Sequence, residues 1–147
     1  MVVGLAPRAW AYASETFSQV SILLDTHFLV WLVLESKRRA QFPWLNRYRP
    51  WGVSPVSFLE IQFLAEVGKL SVKNPEFTQT VMNDPRFVVD GIALDILMSH
   101  ALPLHWTRDP FDRLLAGHSA ARRVPLCTTD RLIRTHHHLL PEEVDRL

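Results

Sequence analysis

Apolar residues fall along this chain in short runs that stop abruptly, and the polar residue at each stop sets the next element. Ser21-Ile22-Leu23-Leu24 reads as a strand running into Asp25. From Thr26 the pattern lengthens: His27 through Glu35 is rich in Leu, Val and Trp and predicts a buried helix. A basic, proline-bearing loop follows from Lys37 to Pro50, and Trp51-Gly52-Val53 forms a second short strand. Ser54-Pro55 is a helix cap with proline at the first helical position. Val56, Leu59, Phe63, Val67 and Leu70 then recur at helical spacing, which predicts a core-facing helix. Further helices are expected from Pro75 to Met82 and from Ile92 to Ala101, with a strand from Phe87 to Asp90 between them. Thr107-Arg108-Asp109-Pro110 repeats the cap-then-proline signal with Asp109 as the cap, opening a helix to about Arg123. Val124 to Thr128 reads as a strand and Arg131 to His138 as helical or mixed.

Short strands alternating with longer helices predict an α/β fold, a short parallel sheet flanked by helices on both faces. At 147 residues the chain is expected to hold one domain, residues 21–147. Residues 1–20 show weak periodicity and are expected to be an N-terminal extension, either a genuine arm or the product of an upstream start codon. No run approaches the roughly 20 apolar residues of a membrane span, so no membrane association is expected. The single cysteine, Cys127, excludes an internal disulfide, reads as a buried strand residue and suits a cytoplasmic location. A net charge of +1 excludes an overwhelming basic field, so any nucleic-acid binding must come from local Arg and Lys placement.

Four carboxylates stand at the edges of apolar runs: Asp25, Glu60, Asp112 and Asp130. Burying an ionised carboxylate without a partner is costly, and the usual remedies are a cation, a metal or a shifted pKa. Each acid also has a plainer explanation. Glu60 lies three residues after Ser57 and could complete a capping box. Asp112 near a helix start is favoured by the helix dipole, and Asp25 and Asp130 could be strand-end turn residues. Yet ligands of parallel sheets bind outside the strands' carboxyl ends, which is where all four acids are expected.

These residues resemble the PIN-domain nucleases, and specifically the VapC-type toxins of toxin–antitoxin pairs. The resemblance rests on Leu23-Leu24-Asp25-Thr26-His27, on Ser54-Pro55-Val56-Ser57-Phe58-Leu59-Glu60-Ile61 running to Gly68-Lys69-Leu70, and on Leu102-Pro103-Leu104-His105. It continues through Arg108-Asp109-Pro110-Phe111-Asp112-Arg113-Leu114-Leu115 and Val124-Pro125-Leu126-Cys127-Thr128-Thr129-Asp130, in order from about residue 21 to 135. It implies a PIN-like fold and a metal-dependent endoribonuclease in which Asp25, Glu60, Asp112 and Asp130 form an acidic quartet around Mg²⁺ or Mn²⁺. Thr26 and Thr128 match hydroxyl positions beside the metal. The resemblance further implies an RNA substrate, a homodimer, and a cognate antitoxin that holds the enzyme inactive. A housekeeping RNA-processing nuclease and a non-catalytic RNA- or protein-binding module are the alternatives. The chain departs from the family at Ala116-Gly117-His118, at Leu64 and Thr129 where basic residues are frequent, and after His136, where no last strand is evident.

Arg113 could contact the scissile phosphate or pair with a quartet acid. Arg47, Arg49, Lys69 and Arg108 are candidate RNA contacts. The rings of Phe42, Trp44 and Tyr48 could stack bases or pack against a partner or the core. His136-His137-His138 reads as a solvated stretch.

Overall fold

A computed structural model describes residues 20–147. The extension expected over residues 1–20 lies outside the described residues except at Val20, which is buried and belongs to the domain. The elements are β1 (Leu23–Leu24), α1 (Thr26–Val33), two 3₁₀ turns (Lys37–Gln41 and Pro43–Tyr48), β2 (Trp51–Val53), α2 (Pro55–Glu66) and α3 (Glu76–Asn83). They continue with β3 (Phe87–Val89), α4 (Leu94–Ala101), α5 (Pro110–Arg122), β4 (Leu126–Cys127), α6 (Arg131–His136) and α7 (Glu142–Asp145). The strands form one sheet in the order β3-β2-β1-β4, all parallel.

Strand register divides the core between the two faces of the sheet. Leu24 pairs with Val53 and Cys127, and all three enter a cluster with Ile22, Phe28, Leu29, Trp51 and Ile61. Leu23 pairs with Leu126, and both point the other way, onto Leu115, Val124 and Ile133. Gly52, opposite Leu23, has no room for a side chain: a Cβ there would lie 2.3 Å from Val20 Cγ1.

Because every strand is parallel, the residues that end them align along one edge. Helices start there, and three of those starts are capped by side chains. Asp25 Oδ1 accepts from Phe28 N–H at 2.9 Å, Ser54 Oγ from Val56 N–H at 3.2 Å, and Asp130 Oδ1 from Ile133 N–H at 2.9 Å. Asp109 caps α5 from a loop, as the sequence predicts, accepting from Phe111 and Asp112 N–H.

The expectation for α2 needs correction, whereas the loop's rings take the core-packing alternative. The apolar stripe of α2 does not face the core: Leu59 is 62% exposed and Phe63 49%, while Ser57, Glu60 and Ile61 are buried. Alpha-helical periodicity is ambiguous here because α2 is apolar on most of its circumference, and the face turned inward is the one whose Glu60 accepts from the Thr26 hydroxyl. The basic loop is wound into the two 3₁₀ turns, and its aromatic rings are already occupied. Phe42 is buried edge-on to Phe28, and Trp44 packs edge-on against both Phe42 and Tyr48. The C-terminal region forms no strand in the sheet. Leu139 O accepts from Leu126 N–H at 2.9 Å, and the short helix α7 follows.

Candidate active site

The buried side of α2 meets the first turn of α1, and the result is a polar pocket wall at the sheet's carboxyl edge. Thr26 Oγ1 donates to Glu60 Oε1 at 2.5 Å, and Ser57 Oγ lies 3.1 Å from the same hydroxyl. Thr26 is thus the residue that aims Glu60. Asp25, one position earlier, is buried at the end of β1 and hydrogen-bonds Thr128 as well as its cap partner Phe28. Thr128 Oγ1 also accepts from Asp130 N–H at 2.9 Å, fixing the turn that carries the fourth acid. Asp112 is half-buried in the first turn of α5, and Asp130 is exposed at the head of α6.

Electrostatics place these acids in one another's field. Burial raises the Asp25 carboxyl above its ordinary value, and Asp130 adds to the rise against hydrogen bonds from Phe28 and Thr128. Burial likewise raises Glu60, with Asp109 and Asp25 pushing further and the Thr26 hydroxyl opposing. Asp112 is pushed up to about 7, first by burial and then by Asp109, Asp130, Glu60 and Asp25. Among the described residues none of the four acids has a salt-bridge partner within 4.0 Å.

Oxygen-only donors without a compensating cation, Asp25 and Glu60 among them buried, fit a hard divalent ion such as Mg²⁺ or Mn²⁺. Among the described residues no three His, Cys, Asp or Glu side chains already converge as a chelating cluster. Magnesium commonly keeps several waters and takes one or two protein carboxylates, which suits such an arrangement.

The predicted supporting residues separate. Arg113 Nη2 donates to Leu102 O at 2.9 Å, and its Nε has no partner. Its pairing with a quartet acid is therefore corrected. Gly117 packs directly on Ala101, where an added Cβ would lie 3.0 Å away, so α5 runs close enough to α4 for Arg113 to reach that helix's carboxyl end. Arg108 is exposed and immediately precedes the α5 cap Asp109. Arg47 is ion-paired to Glu143 at 2.7 Å, and Arg49 lies over the Trp51 ring at 4.8 Å. Both flank the start of β2, at the opposite edge of the sheet. Lys69 lies beyond the far end of α2. The sequence reading missed Asp109 as a contributor of charge and missed Asp90 altogether. Asp90 follows β3 as Asp25 follows β1, and that shared position was the available signal.

A parallel α/β sheet with capped helices and a group of mutually repelling acids at its carboxyl edge defines the class of protein. The chain belongs to the PIN domain family, whose profile matches residues 22–136. It is similar to Ribonuclease VapC22 of Mycobacterium tuberculosis (strain ATCC 25618 / H37Rv), with 29% identity over 129 residues, 84% of this chain and 98% of that relative. A solved toxin-antitoxin complex from Klebsiella pneumoniae shares the fold, with a TM-score of 0.54 at 17% identity, over 75% of this chain and 87% of that one.

Proposed function

We propose that this protein is a metal-dependent endoribonuclease, the toxin of a toxin–antitoxin pair, which hydrolyses phosphodiester bonds in cellular RNA in the cytoplasm. The observation that carries this reading is the set of acids at the carboxyl edge, none with a salt-bridge partner among the described residues, of which Asp25, Glu60 and Asp112 are raised in pKa by burial and by their neighbours. Membership of the PIN domain family and the named ribonuclease relative support it. Asp25, Glu60 and Asp112 would hold Mg²⁺ or Mn²⁺ directly, and exposed Asp130 would act through water or on a second ion. When bound, the metal supplies an acidified water and neutralises charge on the phosphate oxygens.

The chain's own residues have separable tasks. Thr26 holds Glu60 in its inward rotamer, and Thr128 holds both Asp25 and the backbone of Asp130. Exposed Arg108, just before the α5 cap, would meet an RNA phosphate approaching Asp112. The exposed stripe of Leu59 and Phe63 continues into an apolar groove of about 340 Å³ lined by Pro55, Val56, Leu94, Leu97, Met98 and Leu114. This face supports a homodimer, and a cognate antitoxin completes the proposed set of partners. Among the described residues no helix is long and apolar enough to cross a membrane.

The test is cleavage of total cellular RNA by the purified protein in Mg²⁺ or Mn²⁺. EDTA and Asp25→Asn should each abolish discrete products while the circular dichroism spectrum is retained. Cleavage that persists in EDTA, or in Asp25→Asn, overturns the assignment.

A further inference from the structure

One buried polar cluster lies outside the acidic pocket and takes no part in the chemistry above. Asp90 and His118 are almost wholly buried, as is Ser54. His118 Nε2 lies 2.9 Å from Asp90 Oδ2, and His118 Nδ1 lies 2.8 Å from Ser54 Oγ. Arg122 grips the other side of Asp90 through Nε and Nη2, each at 3.0 Å. The tautomer that satisfies every partner has its proton on Nε2. The ring then donates to Asp90 and accepts from the Ser54 hydroxyl, and Ser54 is left to accept from Val56 N–H at 3.2 Å.

This chain of bonds begins after β3, crosses α5 and ends on the first turn of α2. Those two helices carry Asp112 and Glu60, whose charges repel. Repulsion at the pocket mouth favours separation of the helices, and the bonds from Asp90 to Ser54 oppose it from the buried side. Residues that store unfavourable energy at a site persist only where surrounding structure holds them. Gly117, next to His118, brings α5 against Ala101, so the helix is held on that side as well.

We propose that His118 is a positioning residue: through Asp90 and Ser54 it braces α2 against α5 and so sets the spacing of Glu60 and Asp112. The proposal rests on the reading of those two acids as metal ligands. It is nevertheless testable without metal, because a brace against repulsion couples two residues that do not touch. His118 and Asp112 are six residues apart on one helix, about 9 Å along its axis. Substitutions that far apart normally add in their effects on stability.

The decisive experiment is a double-mutant cycle on the full chain in EDTA, read as the urea midpoint at pH 7.5. Asp112→Asn should raise the midpoint only about half as much in His118→Leu as in the wild type, because the unbraced helices have already moved apart and relieved part of the repulsion that the brace holds in place. His118→Gln, whose amide can donate to Asp90 and accept from Ser54, should restore the wild-type increment. Additive effects overturn the brace and leave His118 as ordinary core. Should His118→Leu fail to fold, Ser54→Ala breaks the same tie while sparing the His118–Asp90 bond, and the cycle is read there. A calorimetric titration with Mn²⁺ alone gives the second arm. Affinity should fall roughly tenfold in His118→Leu and recover in His118→Gln; unchanged affinity in His118→Leu also overturns the proposal. A wild-type protein that binds no Mn²⁺ counts against the nuclease reading, and the midpoint cycle then decides the brace by itself.

Discussion

Asp25 and Asp90 occupy the same place in the architecture, each the first residue after a parallel strand and each buried. Their surroundings differ completely. Asp90 is held by a bidentate arginine and an imidazole, so its charge is compensated within the chain. Asp25 receives hydrogen bonds but no cation, and two further acids with raised pKa share its pocket. A compensated buried acid contributes to the fold through its partners. An uncompensated one weakens the fold until something positive arrives from outside. The carboxyl edge of one small sheet therefore holds both a structural acid and the acids proposed to bind metal, and the partner list distinguishes them.

The largest effect should come from exchanging these roles. Asp90→Ala leaves Arg122 and His118 without their acceptor in the interior. Removing one partner of a buried ion pair costs about 3–5 kcal/mol. Asp25→Asn should do the reverse: the metal-free protein keeps or gains stability because a buried charge disappears, while RNA cleavage is lost. Urea denaturation in EDTA of the two variants beside the wild type checks both signs. An Asp25→Asn protein that unfolds as readily as Asp90→Ala would make the two acids equivalent and remove the distinction.

A smaller effect separates the two kinds of acid by pH. The Asp112 carboxyl is raised from the ordinary 3.8 to about 7, so across that window the folded chain holds a proton that the unfolded chain has lost. Folding takes up that proton, and the metal-free protein therefore loses stability from this group as pH rises through the window. Asp112→Asn should flatten this part of the stability–pH curve and raise it near neutrality. Partial exposure of Asp112 lets solvent screen some of the effect. Saturating Mn²⁺ should oppose the loss in the wild type, because an ion that binds only the folded state stabilises it in proportion to its occupancy. Midpoints measured from pH 5 to pH 8, with and without Mn²⁺, read both trends.

Much of this was legible in the sequence because caps and strand ends are local signals. Ser54-Pro55 and Asp109-Pro110 open helices where the pattern predicts, and Asp25 and Asp130 terminate apolar runs that do become strands. The inward face of α2 was not legible. Its apolar residues outnumber what one core face needs, so spacing alone selected the stripe that the fold leaves exposed. The choice depends on Thr26, a residue over thirty positions away in sequence that bonds Glu60. The bond Arg113 makes was not legible for a related reason: its partner is a backbone carbonyl at the end of α4, and sequence patterns carry no record of such acceptors. Asp90 escaped notice because the residues that explain its burial, His118 and Arg122, come from a distant helix.

The smallest predicted effects sharpen the contrast between the two edges of the sheet. Arg49 and Arg108 are both exposed arginines beside a helical turn or cap, and sequence alone treats them alike. Arg49 spends its guanidinium on the face of Trp51 at the amino edge, remote from the acids. A cation–π contact at an exposed site contributes about 0.5–1 kcal/mol, so Arg49→Ala should cost stability on that scale and leave cleavage unchanged. Arg108 precedes the Asp109 cap and has no salt-bridge partner among the described residues. Arg108→Ala should leave the urea midpoint near wild type while raising the apparent KM for RNA about twofold to fivefold, the loss expected for one phosphate contact screened by salt. The KM increase should shrink as salt is raised, since screening already weakens that contact in the wild type. Equal effects of the two variants on KM would mean that RNA crosses both edges, and the carboxyl edge would no longer be the sole binding surface.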